Sequence, residues 1–171
     1  NAIAHGANAI PVILPSFGTG ADIVDLACQP SLIEAVKEIS DLPICVSAVD
    51  PKLFIDAVKA GAVLIEIGNF DSFYEKGITF TGEQVISMTK ETKDLLPDVP
   101  LSVTVPHTLS LDKQVDLAMK LVQEGADIIQ TEGGTSSKPY SSGIQGLIEK
   151  AVPTLASTHA IYKEFQNNSI T

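Results

Sequence analysis

The stretch "PICVSAVDPKLFIDAVKAGAVLIEIG", residues 43–68, decides the fold. Its opening "PICVSAV" (43–49) is an apolar run of strand-forming residues. "DPKLFIDAVKAG" (50–61) follows as a helix, with Asp50 as N-cap, Pro51 at the first helical position and Gly61 as its stop. "AVLIEIG" (62–68) returns to a strand. Two strands joined by so short a helical crossover form a βα unit, and such units make parallel sheets.

The same alternation runs outward in both directions. "ADIVDLA" (21–27) is strand-like and "PSLIEAVKEI" (30–39) has helical apolar spacing with proline in its first turn. Downstream come a helix over 81–96 opened by Thr81, a strand over 100–105, a helix over 110–125 with Ser110 as a plain cap, and a strand over 127–132. The last helix spans 143–165, and Pro153 is expected to break or kink it. Five strands alternating with helices fit an open doubly wound sheet or a (β/α)8 barrel. A GxGxxG after the first strand is missing, and the strands carry polar residues on one alternating face, which suits a barrel interior near its mouth. The expected fold is therefore α/β, a partial (β/α)8 TIM barrel of about five βα units, with residues 1–171 forming a single incomplete domain. Its uncovered sheet edges call for further chain or for another copy in a homo-oligomer. The opening "HGANAIPVILPSFGTGADI" is atypical: "AIPVIL" has strand propensity, but no crossover helix fits between it and the next strand. Residues 8–20 are expected to be poorly packed or edge-like.

The formal net charge of −10 argues against nucleic acid or an anionic membrane as partner, because both need clustered Lys and Arg. No apolar run is long enough to span a membrane. Cys28 and Cys45 lie in apolar surroundings and read as free buried thiols. No CxxC or Cys/His spacing marks a zinc site, and no metal or cofactor is assigned.

Strand alternation sorts the polar residues. Leu64, Glu66 and Gly68 share one face of their strand. Ile128, Gln130 and Glu132 share another, as do Cys45 with Ser47 and Ser102 with Thr104, and Asp25 joins from the first strand. The opposite faces are almost wholly apolar. Carboxylates buried without partners cost several kcal/mol each. At the C-terminal end of barrel strands the reason for tolerating that cost is usually a site. Glu132 and Glu66 are candidates for a general acid/base pair, one pKa raised by the other, or for holding Mg²⁺ through waters. The alternative is a satisfied structural network. His107, directly after a strand, is the candidate proton shuttle. "GNFDSFY" (68–74) offers Asn69, Asp71 and Ser72 as ligand contacts and Phe70, Phe73 and Tyr74 as an apolar wall, or else an Asx turn over a small aromatic core. "EGGTSS" (132–137) supplies Gly133 and Gly134, which let backbone N–H groups approach a ligand, and the hydroxyls of Thr135, Ser136 and Ser137, a candidate phosphate or carboxylate cradle. No lysine stands at a strand's mouth-facing end, so a Schiff base has no candidate.

The runs "LPICVSAVDP", "IEIGNFDSFYEKG", "LLPDVPLSVTVPHTLSLDKQ", "DIIQTEGGTSS" and "GIQGLIEKAVPTLA" resemble the plastid hypothetical-reading-frame family called Ycf twenty-three, over roughly residues 21–160. The resemblance implies a TIM barrel like the ribulose-phosphate-binding group and a location in the plastid or the cyanobacterial cytoplasm, and it leaves the reaction open. The chain departs from the family pattern in three ways. The usual first strand is missing, "NAIPVILPSFGTG" replaces a simpler junction, and the last two strands, one with a glycine-rich phosphate-binding loop, are not present.

Together these readings describe an enzyme acting on a small metabolite, phosphorylated or not, by acid/base chemistry of isomerase, epimerase or lyase type. A flavin-using oxidoreductase fits less well. The rival is a non-catalytic small-molecule-binding or regulatory barrel.

Overall fold

The computed structural model describes residues 2–4, 20–132 and 141–170. The junction expectation for 8–20, Gly20 apart, and the cradle residues Gly133, Gly134, Thr135, Ser136 and Ser137 lie outside them.

Six strands form one sheet whose spatial order is the chain order: β1 (Ala2–Ala4), β2 (Val24–Ala27), β3 (Ile44–Ala48), β4 (Leu64–Ile67), β5 (Leu101–Val105) and β6 (Ile128–Thr131). Every neighbouring pair is parallel. The five strands expected from periodicity are all present. The three-residue β1, too short to show a period, adds a sixth against β2, with Ala2 opposite Val24. Between the strands run α1 (Pro30–Lys37), α2 (Leu53–Ala60), the single turn α3 (Asp71–Tyr74), α4 (Gly82–Leu95) and α5 (Leu111–Gln123), and α6 (Gly143–Asn167) follows the last strand. Consecutive βα units with parallel pairing throughout make a partial (β/α)8 barrel.

Alternation decides what the two faces do. Val24, Leu26, Ile44, Val46, Ile65, Ile67, Leu101, Val103 and Val105 are 0–2% exposed and meet the helix layer. Ile33 and Val36 of α1, Phe54 and Ala57 of α2, Val85 of α4, and Leu117 and Leu121 of α5 pack into the same core. Fully burying each large apolar side chain contributes about 1.5–3 kcal/mol, so this outer face sets the strand register. A slip of one residue would bury the polar set under the helices.

Local signals set the helix ends. Asp50 Oδ1 accepts from Lys52 N–H at 3.1 Å, and α2 begins after this tight turn. It stops at Gly61, whose φ of 117° suits glycine. Thr81 and Gln84 close a reciprocal capping box on α4. The cap expected of Ser110 is not made, and of the two outcomes expected at Pro153 the break does not occur. Ser110 occupies the N-cap position of α5 without a side-chain capping bond, and its hydroxyl engages Asp112 instead. Pro153 does not end α6, which runs unbroken from Gly143 to Asn167. Contacts across α6 outweigh the local penalty there: Ser157 donates to Gln114 of α5 at 2.6 Å, Thr154 donates to the Glu132 carbonyl at 2.8 Å, and Ile161 is buried.

Candidate functional site

The inner face of the sheet carries Asp25, Cys45, Ser47, Glu66, Ser102, Thr104 and Gln130, and the chain leaving β6 adds Glu132. Register places Ser47 opposite Glu66 and Glu66 opposite Ser102, with Thr104 opposite Gln130 one layer nearer the C-terminal ends. Their side chains bond across strands, Ser47 to Glu66 directly and the others diagonally. Ser47 Oγ lies 2.9 Å from Asp25 Oδ1 and 3.3 Å from Glu66 Oε2. Thr104 donates to Glu66 Oε1 at 2.9 Å, and Gln130 Nε2 donates to Ser102 Oγ at 2.7 Å. Four strands are thus tied together by one chain of polar atoms, Asp25–Ser47–Glu66–Thr104.

A single hydroxyl proton cannot serve both carboxyls beside Ser47. With Asp25 protonated the chain closes: Asp25 donates to Ser47, and Ser47 donates to Glu66. Burial, with the Glu66 charge beside it, raises the Asp25 carboxyl to about 6. Cys45, on the same face, is buried next to both acids, and burial holds its thiol protonated. Cys28 is half-buried, with its thiol raised to about 11. Neither is poised as a thiolate nucleophile. Gly68 completes this layer by lacking a side chain. A Cβ there would strike the Glu66 carboxylate and lie 2.7 Å from Thr104 Oγ1.

A second group forms at the mouth, where the loops after β4, β5 and β6 meet. Glu132 is 8% exposed. Its Oε2 accepts from Tyr74 Oη at 2.9 Å and from the His107 backbone N–H at 2.6 Å, and lies 2.6 Å from His107 Nδ1. With Glu132 ionised, that last contact requires the proton on Nδ1, which makes Nε2 the lone-pair nitrogen of the ring. Tyr74 packs edge-on to the His107 ring at 5.2 Å. Burial, reinforced by the Glu132 charge, raises the Tyr74 hydroxyl, so it stays a donor. Asp71 completes the group: one ligand-capable atom each from Asp71, His107 and Glu132 lies within 4.8 Å of the others.

The sequence-expected residues therefore divide. Asp25, Ser47 and Glu66 meet in one group, and Glu132, His107 and Asp71 in another. Glu66 bonds Ser47 and Thr104, while Glu132 bonds Tyr74 and His107, so the two glutamates are members of separate groups rather than a bonded pair. Gln130 belongs to the inner layer through Ser102. Asn69 is exposed and shapes the turn into α3. Its φ is +61°, a region asparagine tolerates better than most residues, and its carbonyl accepts from Ser72. Phe70 follows the second of the two readings of this loop, the small aromatic core. It is fully buried, its ring 4.7 Å from that of Phe80, and it belongs to the core rather than to a wall over a ligand. Sequence reasoning treated Tyr74 only as an apolar surface. Its hydroxyl turns out to be one of the donors that fix Glu132, and the three-residue spacing from Asp71 on one helical turn was the available signal.

Comparison with known proteins agrees with the architecture. The family model described as "Protein of unknown function (DUF561)" matches residues 5–170. Proteins called "Uncharacterized protein ycf23" are similar: that of Cyanophora paradoxa is 51% identical over 144 residues, covering 84% of this chain and 59% of the relative, and that of Pyropia yezoensis is 38% identical, covering 84% and 53%. The chain thus spans little more than half the length of these relatives. Among solved structures, "QR15, an Aldolase" superposes with a TM-score of 0.62 at 16% identity, covering 95% of this chain and 85% of that one. A 2,3-dimethylmalate lyase superposes with a TM-score of 0.57 at 11% identity, covering 99% and 84%. These likenesses concern the fold. None of the six strands contains a lysine.

Proposed function

The chain belongs to the DUF561 family of proteins of unknown function, and we propose that it forms the larger part of a barrel enzyme that moves protons on a small metabolite, phosphorylated or not. The reaction class is isomerase, epimerase or lyase. The observation that carries this reading is the Asp25–Ser47–Glu66 chain. It places two carboxyls, Glu66 buried and Asp25 partly buried, on one hydroxyl, with Asp25 raised to about 6, on the inner face of parallel strands. A proton store of that kind suits general acid/base work close to neutral pH. A purely structural network would be served as well by neutral side chains. In this reading Glu66 and Asp25 exchange the proton through Ser47. His107, held by Glu132 and Tyr74, exchanges a proton with the substrate at the mouth. Gly133 to Ser136 follow Glu132 directly and are assigned to binding the substrate's anionic group. The ycf23 relatives support a plastid or cyanobacterial setting, and among the described residues no helix is long and apolar enough to cross a membrane.

The test begins with the protein purified from its host and native mass spectrometry for a retained small molecule. That molecule, incubated with the protein in deuterated water, is expected to take up deuterium at carbon. Ser47→Ala and Asp25→Asn should each slow the exchange by about 10²–10⁴-fold, the usual contribution of positioned acid/base catalysis, while the molecule still binds. Retention of a ligand that exchanges no deuterium would favour the binding-protein reading instead.

A further inference from the structure

We propose that Asp71, His107 and Glu132 form a binding site for one divalent transition-metal ion at the barrel mouth. Three elements deliver the ligands: Asp71 opens α3, His107 follows β5, and Glu132 follows β6. One donor atom from each lies within 4.8 Å of the other two. Ligands about 2.0–2.2 Å from a common ion are separated by up to about 4.4 Å when opposite, so the span needs only small side-chain adjustment.

A second observation points to a cation ligand. The two oxygens of Glu132 are treated very unequally. Oε2 gathers the Tyr74 hydroxyl and both the backbone and ring nitrogens of His107. Oε1 is buried and has no hydrogen-bond partner among the described residues. The side chain as a whole is 4% exposed. A buried carboxylate oxygen left bare costs about 1–3 kcal/mol or more, and among the described residues the donors converge on the other oxygen. Oε2 is thereby spent on holding the carboxylate in place, Oε1 remains to bind, and the ion takes the Nδ1 lone pair in place of the proton that otherwise lies toward Oε2, so that binding releases a proton.

Donor chemistry selects the class of ion. Two carboxylates with one imidazole favour Mn²⁺, Fe²⁺, Co²⁺ or Zn²⁺ over Ca²⁺ or Mg²⁺, which prefer all-oxygen sets. Three protein ligands leave coordination positions open, the arrangement of catalytic rather than structural sites. The other acidic group, Asp25, Cys45 and Glu66, makes the contrast. There the carboxylates are engaged by Ser47 and Thr104 and the thiol stays protonated, so it offers hydrogen bonds and no ready ligand. The proposal rests on reading the mouth as the place where substrate binds, and it gives that place a Lewis acid to draw in a substrate oxygen.

The full chain, stripped with chelator and dialysed, is titrated with Co²⁺ as a spectroscopic probe, followed by Mn²⁺ in competition. One equivalent of Co²⁺ is expected to bind, with visible absorption bands and a rise in melting temperature. Asp71→Asn and Glu132→Gln should each weaken binding at least about tenfold, while Glu66→Gln leaves the affinity unchanged. Should Glu132→Gln fail to fold by circular dichroism, Asp71→Asn, on the less buried ligand, decides alone. Absence of Co²⁺ binding, or binding indifferent to Asp71→Asn, overturns the site. The deuterium-exchange reading is tested separately on metal-free protein, so a failure of either idea is recognisable on its own.

Discussion

Between Asp25 and Glu66 the proton on Ser47 has two claimants, and this makes stability depend on pH in a definite direction. The Asp25 carboxyl titrates near 6 in the folded chain against 3.8 ordinarily. Between those values the folded state holds a proton that the unfolded state has released. Stability is therefore greatest below about pH 4 as far as this group is concerned, and is lost as pH rises through 6. Melting temperatures from pH 4 to 7 should show that decline, and Asp25→Asn, which mimics the protonated form, should flatten it; an unchanged slope in the variant would refute the assignment. Gly68→Ala is expected to destabilise by about 1–3 kcal/mol, the usual range for overpacking, because the new methyl must displace the Glu66 carboxylate or Thr104. Urea unfolding midpoints measure it. Tyr74→Phe removes one donor from Glu132 and should cost about 1 kcal/mol, readable in the same experiment.

Among the elements, α4 and α6 stand at opposite ends of what local sequence can say. The Thr81–Gln84 capping box obeys its local rule, so Thr81→Ala should cost about 1 kcal/mol by thermal unfolding. Pro153 violates its rule inside an unbroken helix. Pro153 is exposed, so Pro153→Ala restores an N–H toward the carbonyl four residues back without leaving a gap and should raise the melting temperature. The same contrast explains which features were legible beforehand. Period-two alternation is a property of each strand alone, so it placed Asp25, Ser47, Glu66, Ser102, Thr104, Gln130 and Glu132 on one face without knowledge of neighbours. What it could not supply was which of them would touch. The separation of Glu66 from Glu132 depends on the positions of Thr104 and Tyr74 in other elements. Tyr74 itself reaches Glu132 from a single helical turn, too short to have a period. The continuity of α6 through Pro153 and the loss of the Ser110 cap are likewise decided by partners on other elements, or by Asp112 nearby.

At the scale of the molecule, the inner face and the outer layer are finished to different degrees. Helices α1, α2, α4 and α5 each bury apolar residues against the sheet, whereas α6 leaves Ile144, Leu147, Ile148, Val152 and Leu155 more than half exposed. Contiguous apolar surface of that kind drives association. The 171-residue chain by itself should show concentration-dependent growth in light scattering, and Leu147→Lys with Leu155→Glu should suppress it without lowering the melting temperature.

The coincidence of strand order with chain order has a consequence for how the structure is reached. Val24 pairs with Ile44, Cys45 with Leu64, Ile65 with Leu101 and Ser102 with Ile128, so each strand finds its template in the one synthesised just before it. Loop closure is then paid in short instalments rather than in one long-range step. A nascent chain released as far as β4 already owns four paired strands and two covering helices. The sheet can therefore grow at the pace of translation, each new strand docking on a finished edge while the next is still inside the ribosome.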